Sequence, residues 1–421
     1  MTESAVRSDA TTAPTPRRLV ELPWNYQTIF VREWSPYFGA VVIVAIALAL
    51  MASGFFWGVF GGLKLLGNYI NNLIGLGPLL GIKSELESPL MHRVAILDIC
   101  LVLGAFSAAL LSGQFRISRP PKLEYLWAAL GGSCMGIGAS LAGGCTTGGF
   151  FTPVMFSSPA GWAMWAGLLA GAFIGLKLLL WTMEHIQWGM VAPPRSEVPF
   201  GRSSYRQVGF LVFLLVLWWS TLWLQSEDAR LASRGMLILA GFGLGFTLHR
   251  SRFCFSRVFR EPLMTGEGEM TKAMILAVAL GMPAGSLLLK GGTVDPYLAI
   301  PATFWIGSLA GGLIFGIGMV FAGGCASGSL WRVGEGHVKL MVAVFFFAWI
   351  GSTASAVFSK LGLTSKEMNL DLVEESAVGI QAYLPELFSG WGWAYGVGFG
   401  IMLVWYLLVR YNESTEKFTV L

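Results

Sequence analysis

Charge is what this sequence has least of. Only 12% of its 421 residues are Asp, Glu, Lys or Arg, against about 25% in a soluble domain. That excludes a soluble enzyme and a charge-rich disordered chain. Basic residues number 28 against 24 acids, a near-neutral balance that points to no nucleic-acid partner. Cysteines number five. An odd, small set argues against a disulfide framework, so each thiol has to be judged by its surroundings. No Cys-x-x-Cys and no His-paired ligand spacing occurs, which argues against a metal site. The phosphate-cradling G-x-x-x-x-G-K-[ST] loop is missing as well, which argues against ATP-driven transport by this chain alone. Nothing implies a resident cofactor. What is abundant is apolar residues, 55% of the chain, and glycine, 54 in all. Together they make a membrane composition.

A spanning helix needs about 20 mostly apolar residues. Ten stretches are candidates: 37–60, 93–111, 123–142, 160–183, 207–224, 235–259 (interrupted), 270–289, 300–322, 338–358 and 391–410. An even number puts both termini on one side. The connection 112–122 holds Arg116, Arg119 and Lys122 without an acid, and 184–206 holds Arg195, Arg202 and Arg206. The connection 359–390 instead sets Lys360 and Lys366 against Glu367, Asp371, Glu374, Glu375 and Glu386. Short basic loops face the cytoplasm, so both termini are expected inside. Residues 1–35, with Arg17 and Arg18 beside prolines, read as a cytoplasmic N-terminal tail. That polar leader is too long to precede a cleavable secretory signal.

The sequence repeats itself. Residues 131–150, GGSCMGIGASLAGGCTTGGF, match residues 311–330, GGLIFGIGMVFAGGCASGSL, at ten of twenty positions with no gap. Such self-similarity marks duplication. The copies lie five crossings apart, so they run in opposite directions through the bilayer. The expected fold is therefore an all-α polytopic membrane protein of about ten spanning helices, with an inverted pseudo-twofold repeat. Its parts are a first repeat at 36–206 and a second at 207–421. Each copy ends a helix at Gly-Gly-Cys and continues with a segment too short to span, 145–156 and 325–332. These fit short re-entrant helices, which survive at membrane depth only where protein or water satisfies the backbone. In transporters built this way, the substrate site lies near the repeat interface.

The candidate site residues follow from these breaks. Gly143, Gly144 and Cys145 match Gly323, Gly324 and Cys325. Cys254 lies in a third unusual segment, GFGLGFTLHRSRFCFSRVFRE at 241–261, with His249, Arg250 and Arg252 just before it. Arginines beside half-helix N-termini attract anions. Arg257 and Glu261 are spaced as an i,i+4 pair. Cys100 and Cys134 lack such a setting and read as small core hydrophobes. Thiols are soft, weak donors. They suit the terminal atom of a sulfur or selenium anion better than the hard oxygens of sulfate, and weak binding at successive sites is what conduction requires. Asp98 and Lys177 fall inside predicted spans, which makes each a candidate by default. Asp98 could pair with Arg93, and Lys177 could snorkel.

The doubled A-G-G-C with its following Gly, together with the R-x-C-F segment and the later F-R-E, resembles the YeeE/YedE sulfur-transport family from about residue 88 to 410. Ser-Pro-Leu at 88–90 is similar to the YedE branch, often linked with selenium metabolism. The resemblance implies a bacterial inner-membrane transporter for a thiosulfate-like anion, not an enzyme. It implies that Cys145, Cys254 and Cys325 pass the anion along a central path by transient S–H contacts. It also implies a TusA-like sulfur-carrier protein as a cytoplasmic partner. The first repeat has no clear counterpart of 241–261: the 180-residue offset puts Ile74 opposite Cys254. The competing expectation is a membrane sulfurtransferase that forms a persulfide on Cys254, which arginines would activate.

Overall fold

The computed structural model describes residues 26–186, 202–364 and 375–420. Most of the N-terminal tail, with Arg17 and Arg18, lies outside these residues, as do Arg195, Lys366, Glu367, Asp371 and Glu374. The first half holds α1 (Pro36–Ala52), α2 (Phe60–Leu73), α3 (Gly77–Leu80), α4 (Arg93–Ser112), α5 (Lys122–Ala142), α6 (Thr152–Met155) and α7 (Pro159–His185), then α8 (Arg202–Leu224). The chain continues with α9 (Ala229–Ser251), α10 (Phe255–Met264), α11 (Glu269–Lys290), α12 (Ile306–Ala322), α13 (Ala326–Glu335), α14 (Val338–Lys360), α15 (Leu384–Leu387) and α16 (Trp391–Thr415). One small antiparallel hairpin pairs Glu375–Ser376 with Gly379–Ile380. Among the described residues, nine helical stretches are long and apolar enough to cross a membrane. The first expected span, 37–60, is split. Its helix α1 starts on the Ser35 cap, stops after 17 residues at Ser53–Gly54, where Gly54 is left-handed, and α2 begins at Phe60.

The repeat is inverted, and its axis passes between α5 and α12. A Cβ on Gly131 would come 2.6 Å from the Gly318 carbonyl oxygen, and one on Gly318 would come 2.6 Å from that of Gly131. Gly138 and Gly311 block each other in the same way, at 2.5 and 2.6 Å. Gly131 and Gly138 are the repeat equivalents of Gly311 and Gly318. Each contact therefore maps onto the other by a twofold rotation, with the two helices antiparallel. The outer neighbours obey the same relation: Gly136 of α5 meets Gly351 of α14, and Gly316 of α12 meets Gly171 of α7. Lipid supplies no hydrophobic drive between spanning helices, so small residues that admit close backbone contact hold the seam.

Two faces cap the bundle. On the basic face, Arg116 N donates to the Glu335 carbonyl at 3.1 Å and Val338 N to that of Ser118 at 3.1 Å, which ties the α4–α5 loop to the α13–α14 junction. On the opposite face, Tyr297 bonds both Asp295 and Glu386 and accepts from Gln381 next to the hairpin, where Phe304 and Ile380 exchange backbone hydrogen bonds. The lateral surface is apolar. Trp218 of α8 is 62% exposed and Trp393 of α16 is 70% exposed, as expected for aromatic residues in a lipid-facing belt. Lys177, also exposed, lies over the Phe173 ring at 4.5 Å on this surface.

Candidate functional site

Both Gly-Gly-Cys breaks have the same construction. Gly143 and Gly323 close α5 and α12 in the left-handed conformation, with φ of 72° and 83°. Each chain then turns to extended backbone at the cysteine and starts a short buried helical segment. Cys145 precedes a π-helical turn, Thr146–Phe151, that runs into α6. Cys325 is the N-cap of α13, and its Sγ accepts a hydrogen bond from Gly328 N at 3.2 Å. A hydroxyl two residues on faces each sulfur: Thr147 Oγ1 lies 3.0 Å from Cys145, and Ser327 Oγ lies 3.6 Å from Cys325. Both cysteines are fully buried and free.

Cys254 joins Cys325. It stands at the N-terminus of α10, buried and free. Both sulfurs press against the bare Cα of Gly328: a Cβ there would be 2.7 Å from Cys254 Sγ and 3.0 Å from Cys325 Sγ. In the other half, Gly148 is the repeat equivalent of Gly328, and a Cβ built on it would meet the Cα of Gly58, at 3.3 Å, rather than a thiol. Gly58 therefore occupies the place of Cys254, and Cys145 has no second thiol beside it. Between the halves, rings fill the centre. Trp57 packs on Phe151 and Phe255 at 6.0 and 5.9 Å, and Phe151 packs on Phe255 at 5.8 Å.

The basic cluster divides by role. Arg250 is fully buried and donates to the Arg32 carbonyl and to Gln114 Oε1, clamping the N-terminal segment. His249 faces Glu335 at 3.6 Å and meets the Trp331 ring edge-on. Arg252 ends α9 in the left-handed conformation and bonds Glu335 at 2.7 Å and Glu33 at 3.3 Å. Arg257 pairs with Glu261, as its spacing indicated. Arg252, Arg257, Arg260 and Arg332 line a cleft of about 460 Å³ that opens on the basic face. A second cleft of about 670 Å³ lies beside it, under the α4–α5 loop. The remaining thiols stay in helix contacts, Cys100 against Gly241 and Cys134 against Gly318.

Asp98 does not pair with Arg93. That guanidinium lies over the Phe55 ring at 5.8 Å, and among the described residues neither Asp98 oxygen has a hydrogen-bond partner. The residues that sequence reasoning missed are Trp57, Gly58, Gly328 and Arg332. Only Gly328 carried a signal, as the shared glycine three residues after Cys. Arg332 donates to the Gly323 carbonyl at 3.1 Å, bracing the break.

His337 at the cleft margin carries a pH prediction. Burial lowers its pKa, Glu335 opposes that shift, and Arg332 lowers it further. A histidine depressed in the fold contributes stability above its unfolded pKa of ~6.5, and that contribution is lost as pH falls. The melting temperature of detergent-solubilised His337→Gln is expected to fall less than that of wild type between about pH 7 and about pH 5. Identical pH slopes would refute the assignment.

Fold and site together define a multi-pass membrane protein whose inverted halves each bury a free thiol at a broken helix. The chain belongs to the sulphur transport family, which it matches over residues 4–174 and again over 250–420. It is similar to the probable transporter YedE of Escherichia coli, 28% identical over 340 residues, 76% of this chain and 80% of that one. The thiosulfate transporter TsuA of Spirochaeta thermophila is 35% identical over 155 residues, covering 36% of this chain and 46% of the relative. TsuA of E. coli is 36% identical over 110 residues, covering 26% and 31%.

Proposed function

We propose that this protein carries a small sulfur- or selenium-containing anion, with thiosulfate the first candidate, across a bacterial inner membrane. The basic face is cytoplasmic and both termini lie inside, as the short basic loops require. The anion enters from the opposite face, meets Cys145, passes the Trp57–Phe151–Phe255 constriction and reaches the Cys254–Cys325 pair. It leaves through the arginine-lined cleft toward a cytoplasmic acceptor, for which a TusA-like sulfur carrier is suited. The observation that carries this reading is the twofold placement of Cys145 and Cys325, each buried at the start of a re-entrant helix. There the backbone N–H groups and the helix dipole favour an anion, and the thiol offers only a weak, soft contact. Weak contacts let an anion bind and leave.

The test is uptake of labelled thiosulfate into proteoliposomes. Losing one contact worth about 1 kcal/mol at Cys325→Ala slows uptake about fivefold or more. Equal uptake by both proteins removes the thiol from the path. No wild-type uptake of any sulfur or selenium anion rejects the transport function. A stable persulfide on Cys254 after thiosulfate exposure, detected by mass spectrometry, would mark a sulfurtransferase instead.

A further inference from the structure

Asp98 stands apart from the other charged residues at membrane depth. It lies on α4, five residues in from Arg93 and so about 8 Å along the helix. It is 4% exposed, and both carboxyl oxygens are without a hydrogen-bond partner among the described residues. Its near neighbour is the Cα of Gly62 on α2, where a built Cβ would strike Oδ2; four residues earlier, Gly58 packs on Gly148 of the turn that Cys145 opens. Thr146 Oγ1, next in the chain after Cys145, is also buried without a hydrogen-bond partner among the described residues. On the elements packed around α4, the other charges lie elsewhere. Lys64 is two residues past Gly62 and so on the far side of α2. Arg234 of α9 reaches the Met91 carbonyl, and His249 of α9 and Glu335 of α13 pair at the basic end.

An ionised carboxylate with no partner at this depth is costly, and its charge would repel an anion at Cys145. A protonated carboxyl is neutral and can donate its O–H to that anion. We propose that Asp98 is a proton-binding site that couples anion entry to an inward proton: the carboxyl takes a proton from the acidic face, holds it while the anion occupies the Cys145 site, and releases it inward with the anion. The proposal rests on the transport reading above and supplies its driving ion.

The experiment sets a pH gradient across proteoliposomes and reports luminal pH with a trapped dye. With the membrane potential held at zero, since one proton leaves a net negative charge on the thiosulfate dianion, wild-type accumulation rises about tenfold per pH unit of inward gradient, and thiosulfate addition acidifies the lumen. D98N loses the gradient dependence and the acidification, whereas D98E, which keeps a titratable group, retains both. Wild-type accumulation that ignores the pH gradient, or follows a sodium gradient instead, overturns the proposal. So does undiminished proton coupling in D98N. Infrared difference spectra of the purified protein separate the two readings. A protonated-carboxyl band in wild type that is missing in D98N supports Asp98 as the proton site even if no anion is moved. Absence of that band in wild type overturns it.

Discussion

Gly138→Leu is expected to yield no monodisperse, folded protein. The Gly138 Cβ would sit 2.5 Å from the Gly311 carbonyl oxygen and 2.6 Å from Phe315 N. Those atoms are backbone on the facing helix, so no side-chain rotation relieves the clash, and α5 and α12 have to part. Overpacking usually costs about 1–3 kcal/mol; here the whole central seam has to open, so the loss reaches at least the top of that range. Gly318→Leu meets the twofold-related contact, 2.6 Å from the Gly131 oxygen, and is expected to fail equally. Gly400→Leu, on α16 with nothing within 4 Å, changes stability by less than about 0.5 kcal/mol. Fluorescence-detected size-exclusion melts of the three variants check this. A folded Gly138→Leu, or unequal outcomes for the two seam variants, would contradict the symmetric packing.

The second large effect is on uptake rather than folding. Gly328→Ala puts a Cβ 2.7 Å from Cys254 Sγ and 3.0 Å from Cys325 Sγ. A sulfur can rotate away, so the fold survives, but the two thiols are pushed apart. If they act together as one station, thiosulfate uptake falls about tenfold or more, the equivalent of about 1.4 kcal/mol on the rate-limiting step. Gly148→Ala is the twofold control. Its Cβ meets only the Gly58 Cα, at 3.3 Å, so a slight shift accommodates it and more than about half of the uptake remains. Similar losses in both variants would mean that the thiol pair has no special place in transport.

Local pattern made much of this legible. Gly143 and Gly323 announce their breaks because a left-handed C-cap needs glycine, and the 180-residue offset pairs them without coordinates. The i,i+4 spacing of Arg257 and Glu261 survives as a salt bridge because one helix, α10, carries both. The counterpart of Cys254 was not legible at that offset. It is Gly58, 254 − 58 = 196 residues away, because the loops between α2 and α4 and between α10 and α11 differ in length. The arginine segment could not be sorted by spacing either. Arg250 and Arg252 are two apart, yet one is buried as a clamp and the other lines the cleft.

By itself, then, the sequence determined the membrane class, the inverted duplication, the two broken helices and the three thiols set apart from Cys100 and Cys134. Each follows from hydrophobic length, from self-similarity or from a residue that only a local turn explains. Tertiary structure alone decided which thiols meet, which arginines line the cleft, and that Asp98 stands buried without a hydrogen-bond partner among the described residues. Those properties depend on which side of one helix meets another. In this bundle that choice is made by glycine contacts between helices far apart in the chain, where the backbones come close enough to exclude every side chain.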